Sequence, residues 1–280
     1  MKRLIPWLAA IITVLVILIP LTNAVRTRAH SSLDRYILMD ARSPYNDYTE
    51  ARYDEILDRF IEIMQPRVGA RGGELKILRD WTDGAVNAWA WREGSEYWIE
   101  APGGAARYYL INEEAFLATL CHELGHLIGG APKSLQISYE GQSDYYSAAK
   151  CLRIVLREIA PFKPIAPTPD VVQSCLAWTP DEDRRICERS LIGALSLTSY
   201  YAQLEKVPAP QISTPSRDQA SSTLQTHPKS QCRFDTYLAG ALCPLSRDVE
   251  FGEQDFRTGA CHSQFSPAHA RPSCWFREAS

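Results

Sequence analysis

The stretch Cys121-His122-Glu123-Leu124-Gly125-His126 constrains this chain more than any other part of it. Two imidazoles four residues apart share one face only on an α-helix. The flanks agree with a helix there: Asn112 suits an N-cap, Glu113 and Glu114 suit the positive end of the helix dipole, and Gly129-Gly130 ahead of Pro132 ends the run. His122 and His126 can then present their rings to one metal ion. Glu123 is turned about a quarter of a circle away and reaches a metal-bound water without ligating the ion. Two neutral imidazoles and a carboxylate leave a fourth position for water, which is how catalytic zinc is held. With six histidines in 280 residues, chance places HExxH in roughly one such chain in a hundred. The bland alternative is a histidine pair satisfied inside a core.

A third ligand is needed. The motif HExxHxxGxxH would supply a histidine, and Gly129 fills its glycine, but Pro132 stands where that last histidine belongs. The other known solution takes a glutamate from the next helix, and Glu140-Gly141-Gln142-Ser143-Asp144 offers one at a helix start. Asp144, one turn on, is placed to accept a hydrogen bond from the second nitrogen of a ligating histidine and so set its tautomer. Glu140 would otherwise be a solvated first-turn acid and Asp144 a surface charge. Asp170 and Glu158 are weaker candidates for the ligand.

Elsewhere the pattern predicts an α+β fold. Tyr53, Ile56, Leu57, Phe60, Ile61 and Met64 recur at helical spacing over residues 48–64. Strands are expected at 74–81, 85–91 and 96–100, a further helix from Glu140 to Ile159, and a long one from a capping box at Thr179-Pro180-Asp181-Glu182 to about Lys206. Residues 207–230, rich in Pro, Ser, Thr and Gln, read as a linker, and residues 231–280 as a cysteine-rich segment with little core of its own. The domain proper is 25–206.

Met1-Lys2-Arg3 followed by an apolar run from Leu4 to Leu21 and then Thr22-Asn23-Ala24 has the pattern of an export signal. The run is long enough that residues 4–21 are also a candidate membrane anchor, so residues 1–24 are a signal peptide or an anchor. Eight cysteines with no CxxC pair fit an oxidised framework better than a thiolate metal site. Proximity alone suggests Cys232 with Cys243 and Cys261 with Cys274. The expected location is extracytoplasmic, periplasmic or secreted. The formal net charge of −3, without a Lys/Arg run after the first residues, gives no surface for nucleic acid.

Taken together, Asn87-Ala88-Trp89-Ala90 in a strand, HELGH on a helix and Glu140-xxx-Asp144 opening another resemble the minigluzincin core. That core is shared by the CaaX prenyl protease and the bacterial heat-shock membrane endopeptidases. The resemblance covers residues 75–157, with a shorter spacing between HExxH and the glutamate than those relatives usually have and a tail that matches nothing in them. It implies a zincin-like fold: a small twisted sheet beside an HExxH helix and a Glu-bearing helix. His122, His126 and Glu140 would bind one Zn2+ per chain, with Glu123 as general base and residues 87–90 as the sheet edge to which an extended peptide or protein substrate adds. Tyr139, Tyr145, His227 and His262 are open candidates for a donor to the oxyanion. The alternative is an inactive, zinc-stabilised binding or assembly module whose tail recognises a partner.

Overall fold

The computed structural model describes residues 36–40 and 45–278. The expected signal or anchor, residues 1–24, lies outside them. Among the described residues, no helix is long and apolar enough to cross a membrane.

The architecture is α+β with a small mixed sheet. Helix α1 (Glu50–Gly69) is capped by Thr49, whose hydroxyl accepts the Arg52 amide at 3.2 Å, and it buries Tyr53, Ile56, Leu57, Phe60 and Met64 along one face. It runs past the expected end at Met64 and through Pro66. Strands β1 (Glu74–Asp80), β2 (Trp89–Glu93) and β3 (Glu96–Pro102) form a sheet in the order β1-β3-β2. The β1 and β3 strands are parallel, and β2 and β3 form an antiparallel hairpin. Gly94, at φ 61°, supplies the left-handed residue of its turn. Leu75, Tyr97 and Ile99 are buried on the face that packs against α1 and the motif helix. On the other face Trp91 stacks on Trp98 with ring centroids 5.8 Å apart.

The second strand begins later than expected, at Trp89 rather than Ala85. Residues 84–86 pair instead with a segment from the start of the described chain. The Met39 amide donates to the Gly84 carbonyl at 2.8 Å, and the Val86 amide donates to Ile37 at 2.9 Å. The chain then bends before entering β2.

After the short α2 (Gly103–Arg107) comes α3 (Glu113–Ile128), in which every residue except His126 is buried. Asn112 caps it as expected, accepting the Ala115 amide at 2.8 Å. A two-residue hairpin, β4 (Lys133–Ser134) with β5 (Ile137–Ser138), leads into α4 (Glu140–Tyr146). The helix expected from Glu140 to Ile159 does not stay regular. It widens into a π turn at Ser147–Cys151, where a disulfide to Cys121 ties it to α3, and continues as α5 (Leu152–Glu158). Next come α6 (Pro169–Cys175) and α7 (Asp181–Glu205). Pro180 occupies the N-cap of α7 and no side chain caps it, so the Thr179 capping box is not formed. Helix α8 (Ser230–Leu242), which the composition did not announce, packs on both α4 and α7.

Residues 207–229 and the described part of the cysteine-rich tail lie within one compact unit with the rest of the described residues. The Ala220 and Leu224 amides donate to the carbonyls of Ser273 and Trp275, each at 2.8 Å. The Trp275 ring rests on α4 so closely that a Cβ on Gly141 would lie 2.3 Å from it. The proximity guesses for the tail cysteines are overturned: the bonds are Cys232–Cys274 and Cys243–Cys261, alongside Cys121–Cys151 and Cys175–Cys187. The reason is that Cys232 and Cys243 sit at opposite ends of α8, which holds them about 1.5 Å per residue apart along its axis, too far to bridge. Four disulfides fit an oxidising compartment. Non-reducing proteolysis followed by mass spectrometry should recover peptides linking 232 to 274 and 243 to 261. A linked 232–243 peptide would contradict this packing.

Candidate metal centre

The four-residue spacing on α3 brings the His122 and His126 rings together, centroids 4.7 Å apart and nearly perpendicular. Ligand atoms of His122, Glu123 and His126 all lie within 4.8 Å of one another. Each imidazole is held by its Nδ1. His122 Nδ1 donates to Asp144 Oδ1 at 2.8 Å, and His126 Nδ1 donates to the Ser138 carbonyl at 2.9 Å, with Ser143 Oγ at 3.0 Å. Because a carboxylate and a carbonyl can only accept, the Nδ1 atoms carry protons and the Nε2 atoms face inward.

Glu140, the first residue of α4, closes the group. Its Oε2 lies 3.2 Å from His122 Nε2 and its Oε1 lies 3.6 Å from His126 Nε2. Oε2 is buried and accepts no well-aligned hydrogen bond. Two ring nitrogens and a carboxylate thus face one another, and a cation, a proton or a metal ion, balances such a set. The protonation preferences agree. Burial alone would push the His122 imidazole down, but Asp144 and Glu140 together outweigh it and raise the ring to about 10. Burial would raise the Glu140 carboxyl, yet His126 and His122 hold it well below the usual carboxylate range. Glu123 shifts the other way, because burial raises its carboxyl and the two histidines offset that only in part.

The closeness of α3 and α4 makes this possible. Gly125 lies between the two histidines, and a Cβ there would stand 2.9 Å from the Ser143 Cα. Only glycine lets the backbones approach far enough for Glu140 to reach both rings. The two weaker candidates are elsewhere: Glu158 and Asp170 are exposed on α5 and α6.

Two further residues belong to the centre. Arg233, on α8, is buried and grips Asp144 with both arms, Nε to Oδ2 at 2.8 Å and Nη2 to Oδ1 at 2.7 Å, while its guanidinium lies 4.0 Å from the Tyr201 ring centroid. Asp144 therefore bridges His122 and Arg233, and together they hold its carboxyl down at about 2 despite complete burial. No local pattern marks Arg233, which is 89 residues from its partner. His227 is the second. Its Nε2 lies 3.1 Å from Glu140 Oε2, and its side chain is half-exposed at 47%. Of the four residues left open as donors, His227 alone is in contact with the cluster. The Tyr145 hydroxyl donates to the His269 carbonyl at 2.9 Å, Tyr139 accepts from Ser134 at 3.2 Å, and His262 lies beside Phe265.

Trp89 and Ala90 open β2, the edge strand of the sheet, while Asn87 and Ala88 precede it. The strand packs on α3 and is tied to the end of that helix by Arg92, which donates to the Leu127 carbonyl.

Arg233→Met should leave the Asp144 carboxylate buried with only His122 as partner and cost about 3–5 kcal/mol in denaturant unfolding of the metal-free protein. Wild-type stability would show that the grip is dispensable. No family model matches this chain, and no curated protein or solved structure does either, so what the centre can do has to follow from its own geometry.

Proposed function

We propose that the chain is a zinc-dependent metalloendopeptidase with a zincin-like core, binding one Zn2+ through His122, His126 and Glu140 and hydrolysing peptide bonds in an extended peptide or protein substrate. The observation that carries this reading is the spacing of the three inward-facing acceptors. Two bonds of about 2.0–2.1 Å at a tetrahedral angle put their ligand atoms roughly 3.3 Å apart, and the Glu140 oxygens stand 3.2 Å and 3.6 Å from the two Nε2 atoms. Nitrogen and carboxylate donors in a set of three, each histidine oriented by a fixed acceptor behind it, form the donor set of catalytic rather than structural zinc.

When bound, the zinc ion would polarise the scissile carbonyl and lower the pKa of a water from 15.7 to about 7. The chain's own groups do the rest. Glu123 faces the same space as the imidazoles, and its burial makes the carboxylate a better base than a solvated one. It takes a proton from the water as the water oxygen bonds to the carbonyl carbon and passes it to the nitrogen as the C–N bond breaks, so one fragment ends in a carboxyl group and the other begins with an amine. His227, whose Nε2 lies 3.1 Å from Glu140 Oε2, supplies a hydrogen-bond donor for the carbonyl oxygen as negative charge develops on it. Asp144 and Arg233 hold His122 in the tautomer that leaves Nε2 available. The substrate adds as a strand along β2.

Zinc content near one per chain, together with chelator-sensitive cleavage of a peptide library, tests the proposal. In Glu123→Gln the metal should be retained and turnover should fall at least about a hundredfold. His227→Ala should lower kcat by about a hundredfold with KM little changed. Full activity in Glu123→Gln would remove that residue from its role. Metal binding with no turnover on any peptide would favour a zinc-stabilised binding module.

A further inference from the structure

A helix leaves its last carbonyls without partners of its own, and those that follow His126 on α3 are taken up by side chains from other parts of the chain. Arg92 donates to the Leu127 carbonyl, Arg71 to that of Ile128 at 3.1 Å, the Gln142 amide to that of Gly129 at 2.6 Å and the Ser138 hydroxyl to that of Gly130 at 2.7 Å. Of these donors, Gln142 comes from α4, two residues after Glu140. It is fully buried, and its other end accepts from Arg271 Nε, in the cysteine-rich tail, at 2.6 Å. A guanidinium only donates, so Oε1 must face Arg271 and Nε2 must face the Gly129 carbonyl. Arg271 is itself buried, with Nη1 on the Phe256 carbonyl at 3.0 Å and its guanidinium 4.8 Å from the Tyr145 ring centroid. Neither end of the Gln142 amide is free to turn.

We propose that Arg271, acting through Gln142, is a positioning residue for the metal ligands: it fixes the span between the end of α3 and the start of α4, and with it the reach of Glu140 to His126. Two polar bridges cross between these helices. Asp144 holds His122 at 2.8 Å, and Gln142 holds Gly129, three residues beyond His126. The close approach of Gly125 to Ser143 lies between them and acts as a fulcrum. With one bridge alone α4 could pivot about that contact, and the second removes the freedom by locking a side chain at both of its ends. Loss of the Gln142 bridge therefore frees the His126 arm. Glu140 Oε1, 3.6 Å from His126 Nε2, then moves away while the His122–Asp144 pair stays closed. The consequence for metal binding rests on the zinc reading above, and the hold on α4 does not.

Zinc affinity, measured by competition with a chromophoric chelator on full-length variants whose metal-free unfolding confirms the fold, tests this. In Gln142→Met, close to glutamine in volume, and in Arg271→Met, zinc should bind about 10–100-fold more weakly. Arg271→Lys, which keeps a donor for Gln142, should recover most of the loss. Gln142→Glu keeps the bond to Arg271 and loses the donor to Gly129. Its added negative charge would by itself tighten the binding of a cation, so weaker binding there isolates the lost bridge. The visible absorption of Co2+ bound in place of zinc, which reports the ligand arrangement, should change in Gln142→Glu and hold in Arg271→Lys. A crystal structure of metal-free Gln142→Glu should show the His126–Glu140 separation lengthened beyond 3.6 Å with the His122–Asp144 bond kept. Zinc bound as tightly as in the wild type, or more tightly, by the folded Gln142 variants overturns the proposal, and so does an unchanged separation. A wild type that takes up no zinc while the separation still lengthens defeats the zinc reading alone.

Discussion

The Asp144 carboxylate is the junction on which the site depends. It is fully buried, so it is tolerable only while both of its oxygens are engaged. One side takes the Nδ1 proton of His122 from α3 and the other takes the Arg233 guanidinium from α8. A single charge thus fixes three helices, α3, α4 and α8, in mutual register, and the same bond sets the tautomer of an imidazole in the His-Glu cluster. Glu140 stands one turn before Asp144 on α4, so the register that satisfies Asp144 also delivers Glu140 to the two Nε2 atoms.

The last fifth of the chain belongs to this arrangement. Arg233 and His227 both come from the region that reads as linker and tail, and their positions follow from how that region is fastened. Glu205, at the end of α7, accepts the Ser230 amide at 2.9 Å and begins α8, and the Cys232–Cys274 disulfide fixes the neighbour of Arg233 to the chain carrying Trp275. Trp275 then covers Gly141, next to Glu140. A region poor in large apolar residues acquires order from two disulfides and from packing on a core built by the rest of the protein.

Several parts of this were legible in the residues. The α3 helix, its Asn112 cap and its two inward histidines follow from spacing and capping chemistry, which act over a few residues. The order Glu140-xxx-Asp144 placed both carboxylates on one helical face. The misreadings came where distant chain decides. Residues 85–91 read as one strand, but residues 84–86 take their partner from 37–39, so the strand is divided. Thr179 looked like a cap, yet the helix starts after Pro180 without it. Cysteine pairing by proximity failed because a helix intervened between Cys232 and Cys243.

What the amino-acid sequence determined by itself is the chemistry of the centre: two imidazoles and two carboxylates at helical spacing, and enough cysteines to close a framework. These depend on bonds and turns between near neighbours, which a short stretch of chain dictates. Only the tertiary structure decided that Arg233 would neutralise Asp144, that His227 would come within 3.1 Å of Glu140, and that the Tyr36 ring would meet Trp89. Each is a pairing across a large separation in the chain. Such a pairing is selected by the burial of a charge or the closing of a strand, quantities that exist only once the helices and the sheet have packed.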